Sequence, residues 1–124
     1  MATLGYATVG SNDLERAKAF YIALLEPFGI APLFPHPSGG MVYGREGAFV
    51  FGVLGPYNNE PATAGNGSMI SFRCESCEEV NAFHAKALSL GGKDEGAPGY
   101  RAPTFYMSYF RDLDGNKLCA YFVG

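Results

Sequence analysis

Residues 6–29, YATVGSNDLERAKAFYIALLEPFG, and residues 69–92, MISFRCESCEEVNAFHAKALSLGG, are two versions of one unit set 63 positions apart. Five residues coincide at that offset: Glu15 with Glu78, Ala19 with Ala82, Phe20 with Phe83, Leu25 with Leu88, and Gly29 with Gly92. Others match in kind, Thr8 with Ser71 and Val9 with Phe72. In the first copy Thr3–Val9 alternates around β-formers and reads as a strand. Asn12 or Asp13 then caps a helix whose apolar positions Ala17, Phe20, Leu24 and Leu25 follow i, i+3, i+7, i+8. In the second copy Met69–Cys74 is the strand, and Ser76 with Glu79 forms a capping box. Val80, Phe83, Ala87 and Leu88 then repeat the stripe. The spacing predicts helices over 13–26 and 77–90, ended by Gly29 and by Gly91-Gly92. The offset is half of a 124-residue chain, so the sequence reads as a tandem duplication whose halves are each too small to bury a core alone.

Short strands fill the rest of each half. Ile30–Phe34, Met41–Gly44 and Ala48–Val53 follow the first helix, the last two joined by a Gly-Arg-Glu-Gly turn at 44–47. Residues 55–67 are rich in breakers and read as the linker between the halves. Phe105–Arg111 and Lys117–Val123 are strands around an Asp114-Gly115 hairpin turn. Each half is therefore β-α-β-β-β. The predicted fold is α+β: one domain of two tandem βαβββ modules, about 1–54 and about 68–124, forming a curved mixed sheet around a cavity with the helices outside.

Composition excludes several classes of function. With 48% hydrophobic and 17% charged residues the chain is an ordinary globular protein. A net charge of −3, with nine scattered Lys and Arg, offers no phosphate-binding surface, so no nucleic-acid partner is expected. The longest apolar stretch, Phe49 to Leu54, is far too short to span a bilayer, and no membrane partner is expected. The first residues lack the basic-then-apolar signature of a signal peptide, and three cysteines are an odd number. A cytoplasmic location is the expectation.

Three motifs then point to a family: Asn-Asp-Leu-Glu-Arg-Ala-Lys-Ala-Phe-Tyr at 12–21, Val-Asn-Ala-Phe-His-Ala-Lys-Ala-Leu at 80–88, and Arg-Asp-Leu-Asp-Gly-Asn-Lys-Leu at 111–118. With the repeated βαβββ pattern they resemble the vicinal oxygen chelate superfamily of glyoxalase I, bleomycin-resistance proteins and extradiol dioxygenases, and most of all its glyoxalase-like small proteins. The resemblance implies metal ligands at four places: eight residues before the Leu of the first motif, four after the Gly of the third, and their counterparts in the other half. Here those places hold Tyr6, Cys119, Met69 and Phe51. Zinc and non-haem iron want imidazole and carboxylate, Phe51 has no donor atom, and the Met69 thioether suits copper(I). The expectation is no metal, no cofactor and no assigned catalytic residue.

Residues two apart on a strand share a face, which puts Tyr6, Thr8, Met69, Ser71, Cys119 and Tyr121 on the inward side, with Arg73 and Lys117 nearer the strand ends. With Phe51 they are the candidate ligand-binding residues, an aromatic and sulfur-lined wall with a few hydroxyls. Cys74 and Cys77 have C-x-x-C spacing but lack the further ligands of a zinc site, and Ser76 rather than a cysteine caps the helix. His84 takes the place of Tyr21 in the second helix and reads as structural; His36 sits in a stiff loop, Phe-Pro-His-Pro-Ser-Gly-Gly, with no role the sequence defines. Phe105–Phe110 carries large residues on both faces, which a partner would help to cover, and a homodimer is expected. Three functions fit: a metal-free module that binds a small amphipathic or aromatic molecule, a lyase, isomerase or dioxygenase with altered ligands, or a structural or regulatory dimer with a filled cavity. Whether any reaction is catalysed is left open.

Overall fold

A computed structural model describes residues 1–124. The chain divides into two compact units, Met1–Thr63 and Ala64–Gly124. In the first unit β1 (Ala7–Gly10) leads into α1 (Leu14–Leu25), and a short 3-10 turn (Glu26–Phe28) leads on to β2 (Ala31–Pro35), β3 (Met41–Arg45) and β4 (Ala48–Leu54). In the second, β5 (Ile70–Arg73) and α2 (Cys77–Ser89) precede β6 (Lys93–Ala102), β7 (Phe105–Arg111) and β8 (Lys117–Val123). The expected α+β plan of two βαβββ modules is observed. Its strands make two four-stranded mixed sheets, ordered β1-β4-β3-β2 and β5-β8-β7-β6.

The two units share one topology. In each, the first strand lies parallel to the last, β1 beside β4 and β5 beside β8, and the remaining pairs are antiparallel. Both helices begin at side-chain caps. Asp13 accepts from the Arg16 backbone N–H at 3.1 Å and Ser76 from that of Glu79 at 3.0 Å. Each apolar stripe lies on its own sheet. Phe20, Tyr21, Leu24 and Leu25 are buried in the first unit, Val80, Phe83, His84 and Ala87 in the second.

The first helix stops at Gly29, whose φ of +80° is the left-handed cap that glycine accepts without cost. In the second unit Gly91, at φ +101°, takes that role. Its neighbour Gly92 is needed for space, because a Cβ there would sit 2.8 Å from the Ala87 carbonyl oxygen. The coincidence of Gly29 with Gly92 in sequence is thus not a coincidence of function.

β6 is the strand that the sequence hid. Gly96, Pro98 and Gly99 interrupt its pattern, and its pairing with β7 shifts register at three points.

Candidate functional site

In the first unit, alternation along the strands sorts the side chains between the face under α1 and the face turned away from it. Tyr43 and Phe51 belong to the helix face, where the Tyr21 ring lies 6.2 Å from Tyr43 and 5.2 Å from Phe51. The opposite, open face carries a row set by the pairing Thr8–Gly52–Val42–Phe34. Phe49 joins the open face through a bulge. Tyr43 pairs with Phe51 but Gly44 pairs with Phe49, so Val50 is the extra residue. Tyr6 and Phe49 meet edge to face at 4.8 Å, and Phe34 lies 6.3 Å from Phe49.

These rings wall a cavity of about 370 Å³ whose floor includes Gly52, with Thr8, Val42, Leu54 and His36 completing it. No charged side chain lines it. Tyr6, Phe34 and Phe49 are 56%, 47% and 44% exposed, large aromatic surfaces offered to whatever fills the cavity. A wider groove of about 790 Å³ passes from Thr8 and His36 along Ser38 to Tyr57 and Thr63. Thr8 and His36 line both spaces.

In the second unit the open face of the sheet is more polar. Cys119 pairs with Ser71 on one side and Tyr109 on the other. Arg101 and Lys117 place their charges 5.5 Å and 5.1 Å from the Tyr109 ring centroid, a cation–π contact from each. Cys119 is fully buried. Burial pushes its thiol up, against the Ser71 hydroxyl, a Ser108 backbone bond and the charges of Lys117 and Arg101, which pull the other way. The balance keeps it a thiol. Arg111 pairs with Glu95 at 2.8 Å and holds that carboxyl below its usual range.

Of the candidate ligand-binding residues, Tyr6 and Thr8 line one cavity of the first unit. Ser71, Cys119 and Tyr121 belong by pairing and alternation to the open face of the second sheet, and Met69 is exposed just before β5. Phe51 must be corrected. It is buried on the helix face against Tyr21 and Tyr43 and cannot touch a ligand on the open face. Thr8 pairs with Gly52 where Ser71 pairs with Cys119, so the counterpart of Cys119 is Gly52. Counting from the turn glycine fails by one residue because of the bulge at Val50. Phe34, His36, Val42 and Phe49 were missed as wall residues. The signal for Phe34 and His36 was their two-residue spacing, and for Phe49 it was the bulge, which no local pattern announces.

The remaining motifs are structural. Cys74 is buried beneath the turn into α2 and its thiol is pushed up to about 12, chiefly by burial, which removes it from thiolate chemistry. Cys77 opens α2, with its sulfur 3.5 Å from the Tyr100 hydroxyl. His84 is buried in Tyr21's place against Phe110, with Nε2 3.2 Å from an Asp94 oxygen but not aligned as a hydrogen bond.

The metal that the fold family implies does not fit these residues. Its four places hold Tyr6, Gly52, Met69 and a protonated, buried Cys119, and no three His, Cys, Asp or Glu side chains of the chain gather where they could hold an ion.

The duplicated βαβββ frame, with the last strand of each unit returning beside the first, is that of the vicinal oxygen chelate proteins. Residues 3–120 match the profile of the Glyoxalase/Bleomycin resistance protein/Dioxygenase superfamily, and the chain belongs to it. It is similar to a glyoxalase/bleomycin resistance protein from Albidiferax ferrireducens, with 42% identity over 97% of this chain and 98% of that one and a TM-score of 0.87. Two more distant structures share the fold. The fosfomycin resistance protein FosX from Listeria monocytogenes is 17% identical, covering 100% and 95% of the two chains with a TM-score of 0.74. A lactoylglutathione lyase from Agrobacterium tumefaciens is 18% identical, covering 98% and 94%, at 0.71. No curated protein sequence matches the chain. No helix is long and apolar enough to cross a membrane.

Proposed function

We propose that this protein is a metal-independent binding module that takes up a small planar or amphipathic molecule on the open face of its first unit. The observation that carries the reading is the cavity of about 370 Å³ walled by Tyr6, Phe34 and Phe49 and free of charged side chains. Rings placed edge to face around a glycine floor favour a flat organic molecule over a phosphate or a sugar. The altered-ligand enzyme finds no activated group here. Cys119 and Cys74 are held as thiols, and imidazole and carboxylate are missing from the places where the family holds metal. Sequestration, as in bleomycin resistance, needs neither. The three cysteines are free, in keeping with a reducing, cytoplasmic location.

A ligand that binds the folded state alone raises stability, by about 2.7 kcal/mol at a hundredfold excess over its dissociation constant. A thermal-shift titration with 2-ethylnaphthalene, with EDTA present, is expected to raise the melting temperature. Gly52→Val is expected to abolish the shift. Its Cβ would stand 3.3 Å from the Thr8 methyl and 3.5 Å from a Leu54 methyl, and the two further methyls would fill the floor. No shift in the wild type, or a full shift in the variant, would overturn the reading.

A further inference from the structure

One end of this cavity is built around His36, and the building is unusually complete. The Ser38 backbone N–H donates to His36 Nδ1 at 3.1 Å, and the Ser38 hydroxyl lies 2.9 Å from the same nitrogen. That hydroxyl in turn accepts the Gly55 backbone N–H at 3.0 Å, which ties the loop to the end of β4. Two backbone bonds close the turn: His36 N–H to the Gly40 carbonyl and Gly39 N–H to the His36 carbonyl, both 2.9 Å. Gly39 at φ +94° permits it, and Gly40 must be glycine because a Cβ would collide with the Val53 carbonyl.

The chemical consequence concerns the proton. A nitrogen that accepts a backbone N–H has its lone pair engaged and carries no hydrogen, so the neutral ring holds its hydrogen on Nε2. Nε2 has no partner in the protein, and the ring lines the cavity. The site therefore offers one fixed donor at the end of an aromatic box. Thr8 lines the same cavity. No Lys or Arg lines the cavity, so a carboxylate or phosphonate there would be desolvated without a counter-charge, whereas a neutral oxygen needs only the donor.

Resting on the pocket reading above, we infer that the ligand is an uncharged aromatic carbonyl compound (an aryl ketone, aryl aldehyde or quinone). Its ring lies among Tyr6, Phe34 and Phe49, and its oxygen accepts the His36 Nε2–H. Ser38 acts as a positioning residue that fixes the tautomer.

Three probes of one shape separate the possibilities: 2-acetonaphthone with a neutral carbonyl, 2-ethylnaphthalene with no acceptor, and 2-naphthoate with a charge. Titration of the wild type should give acetonaphthone an advantage of about five- to tenfold over ethylnaphthalene, the scale of one neutral hydrogen bond, with naphthoate the weakest. His36→Phe should erase that advantage while ethylnaphthalene still binds, which also shows that the variant folds. His36→Gln, which keeps an N–H donor, should restore part of it. The ¹⁵N imidazole spectrum of the free protein should show His36 as the Nε2–H tautomer, and acetonaphthone should shift that resonance. If ethylnaphthalene binds but acetonaphthone has no advantage, if naphthoate binds tightest, or if His36→Phe weakens both neutral probes equally, this inference falls and the pocket stands. If none of the three binds, the pocket reading falls and takes this inference with it.

Discussion

Tyr43 sits fully buried beneath α1, and its hydroxyl has no protein partner. Such a group forfeits its hydrogen bonds to water and gains nothing in return, at a cost of about 1–3 kcal/mol. Tyr43→Phe should therefore raise stability by about 1 kcal/mol, measured by urea unfolding at pH 7. Burial also pushes the Tyr43 phenol up to about 12 from 10.0. The folded pKa lies above the unfolded one, so the contribution is whole below pH 10 and is lost as pH rises from 10 towards 12. Cys74, up to about 12 from 9.0, starts the same loss near pH 9. Stability should fall across pH 9 to 12, and in Tyr43→Phe the part above pH 10 should flatten by about 2–3 kcal/mol, the two-unit shift converted. At this scale the sequence was a partial guide. Tyr6 and Thr8 could be placed on the open face because alternation is a backbone property. Phe51 could not, because one bulged residue at Val50 exchanges the faces of everything before it.

The helices were legible as elements, since period, cap and stop all act within a few residues. The observed α1 and α2 differ from the predicted 13–26 and 77–90 only at their ends. β6 was not legible, because its residues answer to β7 across the sheet rather than to one another, and its glycines and proline disguise it. The hairpin between β7 and β8 was visible as Asp114-Gly115, yet its organising residue is Asp112. One carboxylate oxygen accepts the backbone N–H groups of Asp114 and Asn116, and the other accepts the Asn116 side-chain amide, all at 2.9 Å. Asp112 is almost fully buried, so its removal would strand these donors away from water. Asp112→Ala should cost about 2–3 kcal/mol in chemical denaturation, and Asp114→Ala, at the rim of the turn, under about 1 kcal/mol.

Over the whole molecule, each sheet ends in open edges, β1 and β2 in one and β5 and β6 in the other. Unpaired edges and the exposed Tyr100 and Phe105 are surfaces that proteins cover by pairing. We propose a homodimer, and sedimentation at micromolar concentration should return twice the 13.3 kDa chain mass. A 13.3 kDa species would refute it. Elemental analysis of untagged protein should find well under one iron, zinc, nickel or manganese per chain, since Tyr6, Gly52, Met69 and Cys119 offer no suitable set. A stoichiometric metal whose chelation removed an isomerase or dioxygenase activity would restore the enzymatic reading. The strand order carries one consequence for biosynthesis. β8 is the last strand made in its unit, yet it lies inside the sheet between β5 and β7. On the ribosome, β5 to β7 must wait with their central seam empty, just as β1 to β3 wait for β4, which lies between β1 and β3. Each half therefore spends its own synthesis with an open seam, and a nonsense codon before Lys117 would leave the second sheet without its middle rather than without its rim.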